Sequence, residues 1–361
     1  MRILHLHTHL SIGGVTTMLI DLAATQMRLG HEVTIATVSP KAPLDDWARS
    51  LGIEVVNLGC GGSFRDRFQA INQILKNRQF DVAHEHWEMW LVGALAALRN
   101  RTPFVHTHHG SPGRRYFLQD RLACLFTGKV VLLTPSADEY IFKWVSPPRR
   151  KTVVIPNGIQ LDRLDGAARI EVDGISVDAP VVGMAARIKP PKDYGTLIHA
   201  AKLVNARRPE VHFVAVGDGP RREMYENLVK TIGVVNFHFL GDRNDIPSLL
   251  RRMNVNVLAS HAEGLSTSLL EAMASGCVCT ASDIPSNRYV LDEERAGLLF
   301  PDGNPEALAN AIERLLNDQA LADRLRAHAT ERVKYFNSTR MAEEHIKLYT
   351  TLLKRVSPRE S

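Results

Sequence analysis

Val181-Val-Gly-Met-Ala185 is a short apolar run too brief for a helix, and it restarts a pattern that the chain has already completed once. Before it, strand-like runs at 3–6, 33–36, 55–58, 82–84, 104–106 and 130–133 alternate with helix-period stretches such as 15–29, 68–77 and 87–98. Thr152-Val-Val-Ile-Pro-Asn-Gly158 closes that first series with a strand and a turn-forming Asn-Gly, and the charged, poorly periodic residues 159–178 read as a linker. After Val181 the alternation continues through helix 194–207, strand 212–216, helix 221–232, strand 236–240, helix 245–252, strand 255–258, helix 267–275 and strands 278–280 and 297–300. From Pro305 the chain is helical, at 307–316, 320–336 and 340–353. Short apolar strands separated by helices imply parallel sheets covered on both faces. The expected architecture is therefore α/β: two doubly wound, Rossmann-like domains at 1–160 and 161–335 facing across a cleft, and a terminal helix within 336–361.

Composition narrows the class. The 361 residues are 45% hydrophobic and 23% charged, enough for two full cores, and no run approaches the roughly 20 apolar residues of a membrane span. The start Met-Arg-Ile-Leu-His-Leu-His-Thr-His lacks the pattern of a signal peptide, which sets the expectation of a cytoplasmic protein. Cys60, Cys124, Cys277 and Cys279 show neither CxxC nor zinc spacing and read as reduced, mostly buried thiols. Of the net charge of +5, residues 1–160 carry 18 Lys/Arg against 12 Asp/Glu, or +6, and the remainder carries 26 against 27. The excess, around Arg65, Arg67, Lys76, Arg78, Arg99, Arg101, Arg114, Arg115 and Arg121, suits phosphate-bearing partners or a peripheral contact with an anionic membrane. Nucleic acid is not expected, because no groove-reading motif or aromatic-basic platform accompanies the charge.

Four features could carry chemistry. Ser11-Ile-Gly13-Gly14 follows the first strand and opens a helix, where small residues and unpaired amides admit an anion; by itself such a pair is more often just a turn. Arg187-Ile-Lys-Pro-Pro-Lys192 follows a strand and offers a planar fork and a mobile point charge, suited to a diphosphate, although such loop cations are commonly only solvated. Glu263-Gly-Leu-Ser-Thr-Ser-Leu-Leu-Glu271 places one carboxylate in a loop, N-cap residue types at a helix start, and a second carboxylate one turn inside an apolar helix. The amides of Gly264, Leu265, Ser266 and Thr267 would face a phosphate, Glu271 ribose hydroxyls and Glu263 a sugar; spacing alone also admits a structural role for both. Finally, His5, His7, His9, His84, His86, His106, His108 and His109 fall at or near strand ends. They are expected to line one sheet edge without a convergent carboxylate, hence no metal site, with His109 as the single histidine meeting a sugar or phosphate oxygen.

In order and spacing these pieces resemble the retaining GT-B glycosyltransferases of family 4 (glycosyl transferases group 1). The matching stretches are Gly13-Gly14, Asp81-Val-Ala-His-Glu-His86, Pro103-Phe-Val-His-Thr-His-His109-Gly110, Val154-Ile-Pro-Asn-Gly158, Arg187 to Lys192, Val216-Gly-Asp-Gly-Pro220, Phe239-Leu-Gly241 and Glu263 to Gly276. The resemblance implies a UDP- or GDP-sugar donor held mainly by the second domain, with Arg187 and Lys192 on the diphosphate, Glu271 on the ribose and Glu263 on the transferred sugar. It implies Gly13-Gly14 near the phosphate, His109 near the sugar, and an acceptor on the first domain. The terminal helix would return to that domain. No cofactor or metal is implied: the leaving diphosphate takes the acceptor proton, and the cations and helix start stabilise it. The expected activity is retaining hexosyl transfer to a lipid-linked, glycan or small-molecule acceptor. A sugar-nucleotide 2-epimerase and a non-catalytic nucleotide-sugar binder are the alternatives. Asp193 after Lys192, Leu265-Ser266 after Gly264, and Asp283-Ile-Pro-Ser-Asn-Arg288 depart from the family pattern and leave the sugar open.

Overall fold

The structure, a computed structural model, describes residues 1–110, 116–136, 140–164 and 166–356. It divides into two compact units, Met1–Gly158 with Asn337–Ser361, and Ile159–Phe336.

The first unit is built on strands β1 (Arg2–His7), β2 (Glu32–Thr37), β3 (Glu54–Asn57), β4 (Val82–Glu85), β5 (Phe104–His108), β6 (Lys129–Leu132) and β7 (Thr152–Val154). All pairings are parallel, in the order β3-β2-β1-β4-β5-β6-β7. The direction of the winding reverses between β1 and β4, where a doubly wound sheet opens its ligand crevice. Its helices are α1 (Gly14–Arg28), α2 (Asp45–Ser50), α3 (Phe64–Arg78), α4 (Trp90–Arg99) and α5 (Phe117–Phe126). Because side chains alternate along a strand, each strand feeds both cores. Ile3, Val82, Val105 and Val131 pack with α1, whereas Leu4, Leu6, Ala83, Phe104 and Val130 pack with α3 and α4.

The second unit carries β8 (Val181–Ala185), β9 (His212–Val216), β10 (Phe237–Gly241), β11 (Val255–Leu258), β12 (Val278–Ser282) and β13 (Leu298–Phe300), all parallel in the order β10-β9-β8-β11-β12-β13. It is covered by α6 (Tyr194–Arg207), α7 (Arg222–Ile232), α8 (Ile246–Arg252), α9 (Thr267–Ala274), α10 (Pro285–Val290), α11 (Pro305–Asn317) and α12 (Gln319–Val333). The winding reverses between β8 and β11, so the loops after those strands form the second crevice.

Helix α13 (Ser338–Val356) belongs to the first unit, where Met341, Ala342, Leu348, Tyr349 and Leu352 join the core beside α1. The segment 159–178 is not a free linker. Ile159 N donates to Phe336 O, and the buried Arg252 guanidinium donates to the carbonyls of Ser176 and Ala179, which ties the stretch onto the second unit. Among the described residues no helix is long and apolar enough to cross a membrane. The four cysteines are free; Cys124, Cys277 and Cys279 are buried and Cys60 is half-buried.

Candidate functional site

In the second unit the loop after β8 is held on both sides by backbone. Ala186 N and Ile188 N donate to Val216 O and Asp218 O, and Arg221 N donates back to Ile188 O. The contact is so close that a Cβ on Gly219 would lie 2.4 Å from Ile188 O, which explains the glycine in Val216-Gly-Asp-Gly-Pro220. On the other side, Asp193 N donates to Ala259 O and His261 N to Pro191 O, around a bridge between Lys192 and Ser260. The same loop therefore delivers Lys192 to Glu263: Nζ donates to Oε1, which also accepts from Ser260 Oγ. Both side chains of this ion pair are mostly shielded. Asp193, which replaces the family glycine, caps α6 by accepting from Thr196 N at 3.0 Å.

Helix α9 starts just beyond Glu263. Its N-cap residue, Ser266, makes no side-chain capping bond, since its hydroxyl pairs with that of Ser268 at 3.0 Å. The helix start is thus left without a side-chain cap, facing the segment of Gly264 and the buried Leu265 and Ser266. Glu271 sits one turn in and is half-buried, between the buried Leu270 and Ala272. Arg187 is exposed on the loop after β8. Arg187, Lys192 and Glu263 sit on the crevice loops of one sheet, with the 264–267 segment and Glu271 at the start of the helix that follows. These groups can neutralise a diphosphate and accept hydrogen bonds from hydroxyls.

In the first unit Gly13 precedes α1 with φ 165° and ψ 158°, extended backbone open to any residue, and a Cβ built there meets nothing within 4 Å. The fold itself does not ask for glycine at this position; close approach of a ligand to the Gly13-Gly14 backbone would.

The histidines do not line one edge. Strand alternation sends them to opposite faces of the sheet, and a carboxylate does converge on one set. On the α1 face, His5 Nε2 lies 2.8 Å from Gln26 Oε1, His5 Nδ1 is 2.9 Å from His86 Nε2, and His86 Nδ1 is 3.3 Å from His109 Nε2. His84 is bonded on both ring nitrogens, to Tyr349 OH at 2.6 Å and to Thr107 Oγ1 at 2.7 Å. Burial keeps these imidazoles neutral, lowering His5 to about 4 and His84, His86 and His109 well below the usual histidine value. On the opposite face, Glu85 Oε2 lies 2.6 Å from His106 Nδ1 and Oε1 accepts from Met89 N at 2.9 Å. Burial pushes the Glu85 carboxyl up to about 8, against the pull of the Met89 and Trp87 N–H groups.

Both sets reach the C-terminal ends of β4 and β5, where a cavity of about 350 Å³ is lined in part by Arg67, His86, Trp87, Trp90, His106 and His109. Three buried atoms of its lining lack a partner among the described residues: Arg67 Nε, His106 Nε2 and His109 Nδ1. Glu85, Gln26 and Trp90 were not singled out from sequence. The available signal was His84-Glu85-His86 inside a strand, since its middle residue must face away from its neighbours. Among the described residues two triplets bring metal-type ligand atoms together, His5/His84/His86 and Asp193/His261/Asp302. In the first, both nitrogens of His5 and of His84 are already hydrogen-bonded.

Comparison with known proteins identifies the family. Residues 12–163 match the family described as Glycosyltransferase Family 4, and residues 168–332 match Glycosyl transferases group 1. The chain is 28% identical over 361 residues to phosphatidyl-myo-inositol mannosyltransferase of Mycolicibacterium smegmatis, covering 94% of this chain and 90% of the relative. It is 27% identical over 304 residues to the UDP-Gal:alpha-D-GlcNAc-diphosphoundecaprenol alpha-1,3-galactosyltransferase of Escherichia coli, covering 79% of each. The crystal structure of HepE from Anabaena in complex with UDP-glucose superposes with a TM-score of 0.84 at 20% identity, over 97% of this chain and 99% of that one.

Proposed function

The chain belongs to the group 1, family 4 glycosyltransferases, retaining enzymes of GT-B fold that use nucleotide sugars, and from that premise we propose that it moves a hexosyl unit from a UDP- or GDP-sugar to a lipid-linked or cell-envelope glycan acceptor. The observation that carries the donor half is the Lys192–Glu263 pair, fixed by the loop bridge at Ser260 and set beside the start of α9. An incoming diphosphate takes Lys192 from Glu263, with Arg187 and the α9 amides completing the anion site. The released Glu263 carboxylate then accepts hydroxyls of the transferred sugar, and Glu271 those of the ribose. On the first unit, the Gly13-Gly14 backbone meets the phosphate and His109 the sugar.

Bond changes balance without a cofactor. The acceptor oxygen bonds to the anomeric carbon as the bond to the diphosphate breaks on the same face, and the departing diphosphate oxygen takes the acceptor proton. Negative charge grows on the leaving group, so the cations and the helix start lower the barrier.

Two observations favour a lipid-linked acceptor. The relatives from E. coli and M. smegmatis are named for lipid-borne acceptors. Helix α5 exposes Leu118, Leu122 and Leu125 at helical spacing beside the exposed Arg121, a face fit for peripheral contact at the cytoplasmic side of an anionic membrane. Arg114 and Arg115, part of the basic excess read from sequence, lie outside the described residues.

The test is incubation with labelled UDP- and GDP-sugars and a panel of polyprenyl-diphosphate-linked and soluble glycoside acceptors, followed by anomer analysis. A glycoside product with the donor's anomeric configuration is expected, preferentially on the lipid-linked acceptors. A preference for soluble acceptors would replace the acceptor half. Nucleotide release with an epimerised free sugar would establish the 2-epimerase instead, and no release from any donor would leave a binding protein.

A further inference from the structure

The polar chain under the sheet of the first unit has a direction, and the direction ends at His109. Gln26 Oε1 is an acceptor only, so the ring nitrogen facing it, His5 Nε2 at 2.8 Å, carries the proton. A neutral His5 then has a bare Nδ1, which at 2.9 Å must accept from His86 Nε2–H. A neutral His86 in turn has a bare Nδ1, which accepts from His109 Nε2–H at 3.3 Å. The last ring is left with a bare Nδ1. That atom is buried, has no hydrogen-bond partner among the described residues, and belongs to a residue lining the cavity at the ends of β4 and β5.

We propose that Gln26, His5 and His86 are positioning residues that fix the tautomer of His109, so that its Nδ1 presents a lone pair to a sugar hydroxyl. The consequence is chemical selectivity: the contact selects a hydrogen-bond donor, and a group that only accepts is refused. Gln26 and His5 lie outside the cavity lining, so they act on the sugar only through His86 and His109. Gln26 projects from the last turn of α1 and is separated from His109 by two side chains, His5 and His86. A buried acceptor left unpaired is costly, which suits a polarity filter better than a packing role. His86 is further packed beside His84, ring centroids 4.0 Å apart with the planes tilted by 39°, which limits the freedom of its ring. The proposal rests on the reading that His109 meets the sugar.

Its first test needs no turnover. Nitrogen NMR of protein labelled at histidine, recorded near pH 7, should show His109 protonated at Nε2 and unprotonated at Nδ1, the signal being assigned by its loss in His109→Gln. A protonated Nδ1 overturns the proposal, and this readout stands whether or not any nucleotide sugar is turned over. The second test compares donor sugars bearing single hydroxyl-to-fluorine replacements, since fluorine accepts but does not donate. In the wild-type enzyme one position should lose about tenfold or more in kcat/KM. In Gln26→Met that discrimination should shrink severalfold, with native circular dichroism, and Gln26→Asn should restore part of it. Discrimination that is the same in wild type and a folded Gln26→Met would also overturn the proposal, whereas a uniform loss on all donors would mean a purely structural role. An enzyme inactive on every native donor would instead defeat the transferase reading and leave the NMR result to decide this one.

Discussion

Glu85 Oε2 lies 2.6 Å from His106 Nδ1, and the Trp90 indole lies parallel to that imidazole with ring centroids 3.7 Å apart. The pair is paired strand to strand, residue 85 in β4 opposite residue 106 in β5, and fully buried on the carboxylate side. In the unfolded chain Glu85 loses its proton near 4.5; folded, burial holds it to about 8. Between those values the folded state binds more protons than the unfolded one, so stability falls as pH rises through the window. The cost is on the order of a few kcal/mol at pH 8 relative to pH 4.5. Glu85→Gln should flatten that slope, measured as urea midpoint against pH between 5 and 8.5. Parallel profiles for variant and wild type would refute the assignment.

The histidine cluster has the opposite sign. His5, His7 and His345 are depressed by burial to about 4, from 6.5 in the unfolded chain. Here the unfolded state binds more protons between 6.5 and 4, so stability is lost as pH falls through that window. Each residue contributes on the order of 3 kcal/mol, less when neighbouring rings share the charge. Thermal scans should therefore show the melting temperature dropping steeply below pH 6, before most carboxylates titrate. His345→Gln, at a ring whose Nε2 has no partner among the described residues, should soften the drop. A melting temperature that stays level down to pH 4.5 would contradict it.

These two clusters also mark where sequence reading stopped. The alternation of apolar strands and helices located every strand of both sheets to within a residue or two, because a parallel sheet buried on both faces needs continuous apolar runs. Arg187, Lys192, Glu263 and Glu271 were singled out because their order along the chain resembles the family pattern, and the structure places them after strands β8 and β11 of one sheet. The pairing of Lys192 with Glu263 was not legible, since it depends on a bridge between loops about seventy residues apart. The histidines were misplaced for a simpler reason. Their spacing was read as one sheet edge, whereas strand period puts His84 and His86 on one face and Glu85 on the other. Only the register of β1, β4 and β5 brings His5 to His86 and Glu85 to His106. Helix α5 was also missed, as its outward Leu118, Leu122 and Leu125 blur the amphipathic period.

Two glycines separate a ligand requirement from a packing requirement. Gly13→Ala adds a methyl into open space on extended backbone, so stability should change by less than about 0.5 kcal/mol. Its effect should appear as weaker donor binding, roughly tenfold in Kd by calorimetry, if a phosphate approaches that backbone. Gly219→Ala places a Cβ 2.4 Å from Ile188 O and must displace the loop that carries Arg187 and Lys192. It should cost about 2 kcal/mol or more and remove donor binding together with stability. Equal effects at both positions would mean that Gly13 is only a turn residue.

The outward face of α5 gives the membrane reading a direct check. Leu118 and Leu125 are each 68% exposed, so replacing both with Gln should leave the melting temperature within a few degrees of wild type. Sedimentation with vesicles of phosphatidylglycerol and phosphatidylethanolamine should show binding reduced about tenfold, as two side chains no longer bury apolar area. Raising salt should weaken the residual binding, because the remaining attraction is ionic. Undiminished sedimentation of the double variant would move the contact to another surface.

Lys192 tests the donor site most sharply. Its ammonium is held by Glu263 before any diphosphate arrives, on a loop fixed by backbone bonds rather than by the ion pair. Lys192→Ala should therefore leave the fold intact while turnover falls by roughly 10²–10³, the loss of one positioned charge facing the leaving group. Glu263→Gln keeps the hydrogen bond to Ser260 but frees the lysine from its carboxylate. That variant should bind the bare nucleoside diphosphate as well as or better than wild type, since Lys192 no longer has to leave an ion pair, yet transfer sugar poorly. Lys189→Ala, at an exposed side chain on the same loop, should change turnover less than threefold. Calorimetry with UDP and GDP beside turnover with their sugars separates the outcomes. Full turnover in Lys192→Ala, or diphosphate binding lost in Glu263→Gln, would show that the pair is a structural clasp and that the diphosphate is held elsewhere.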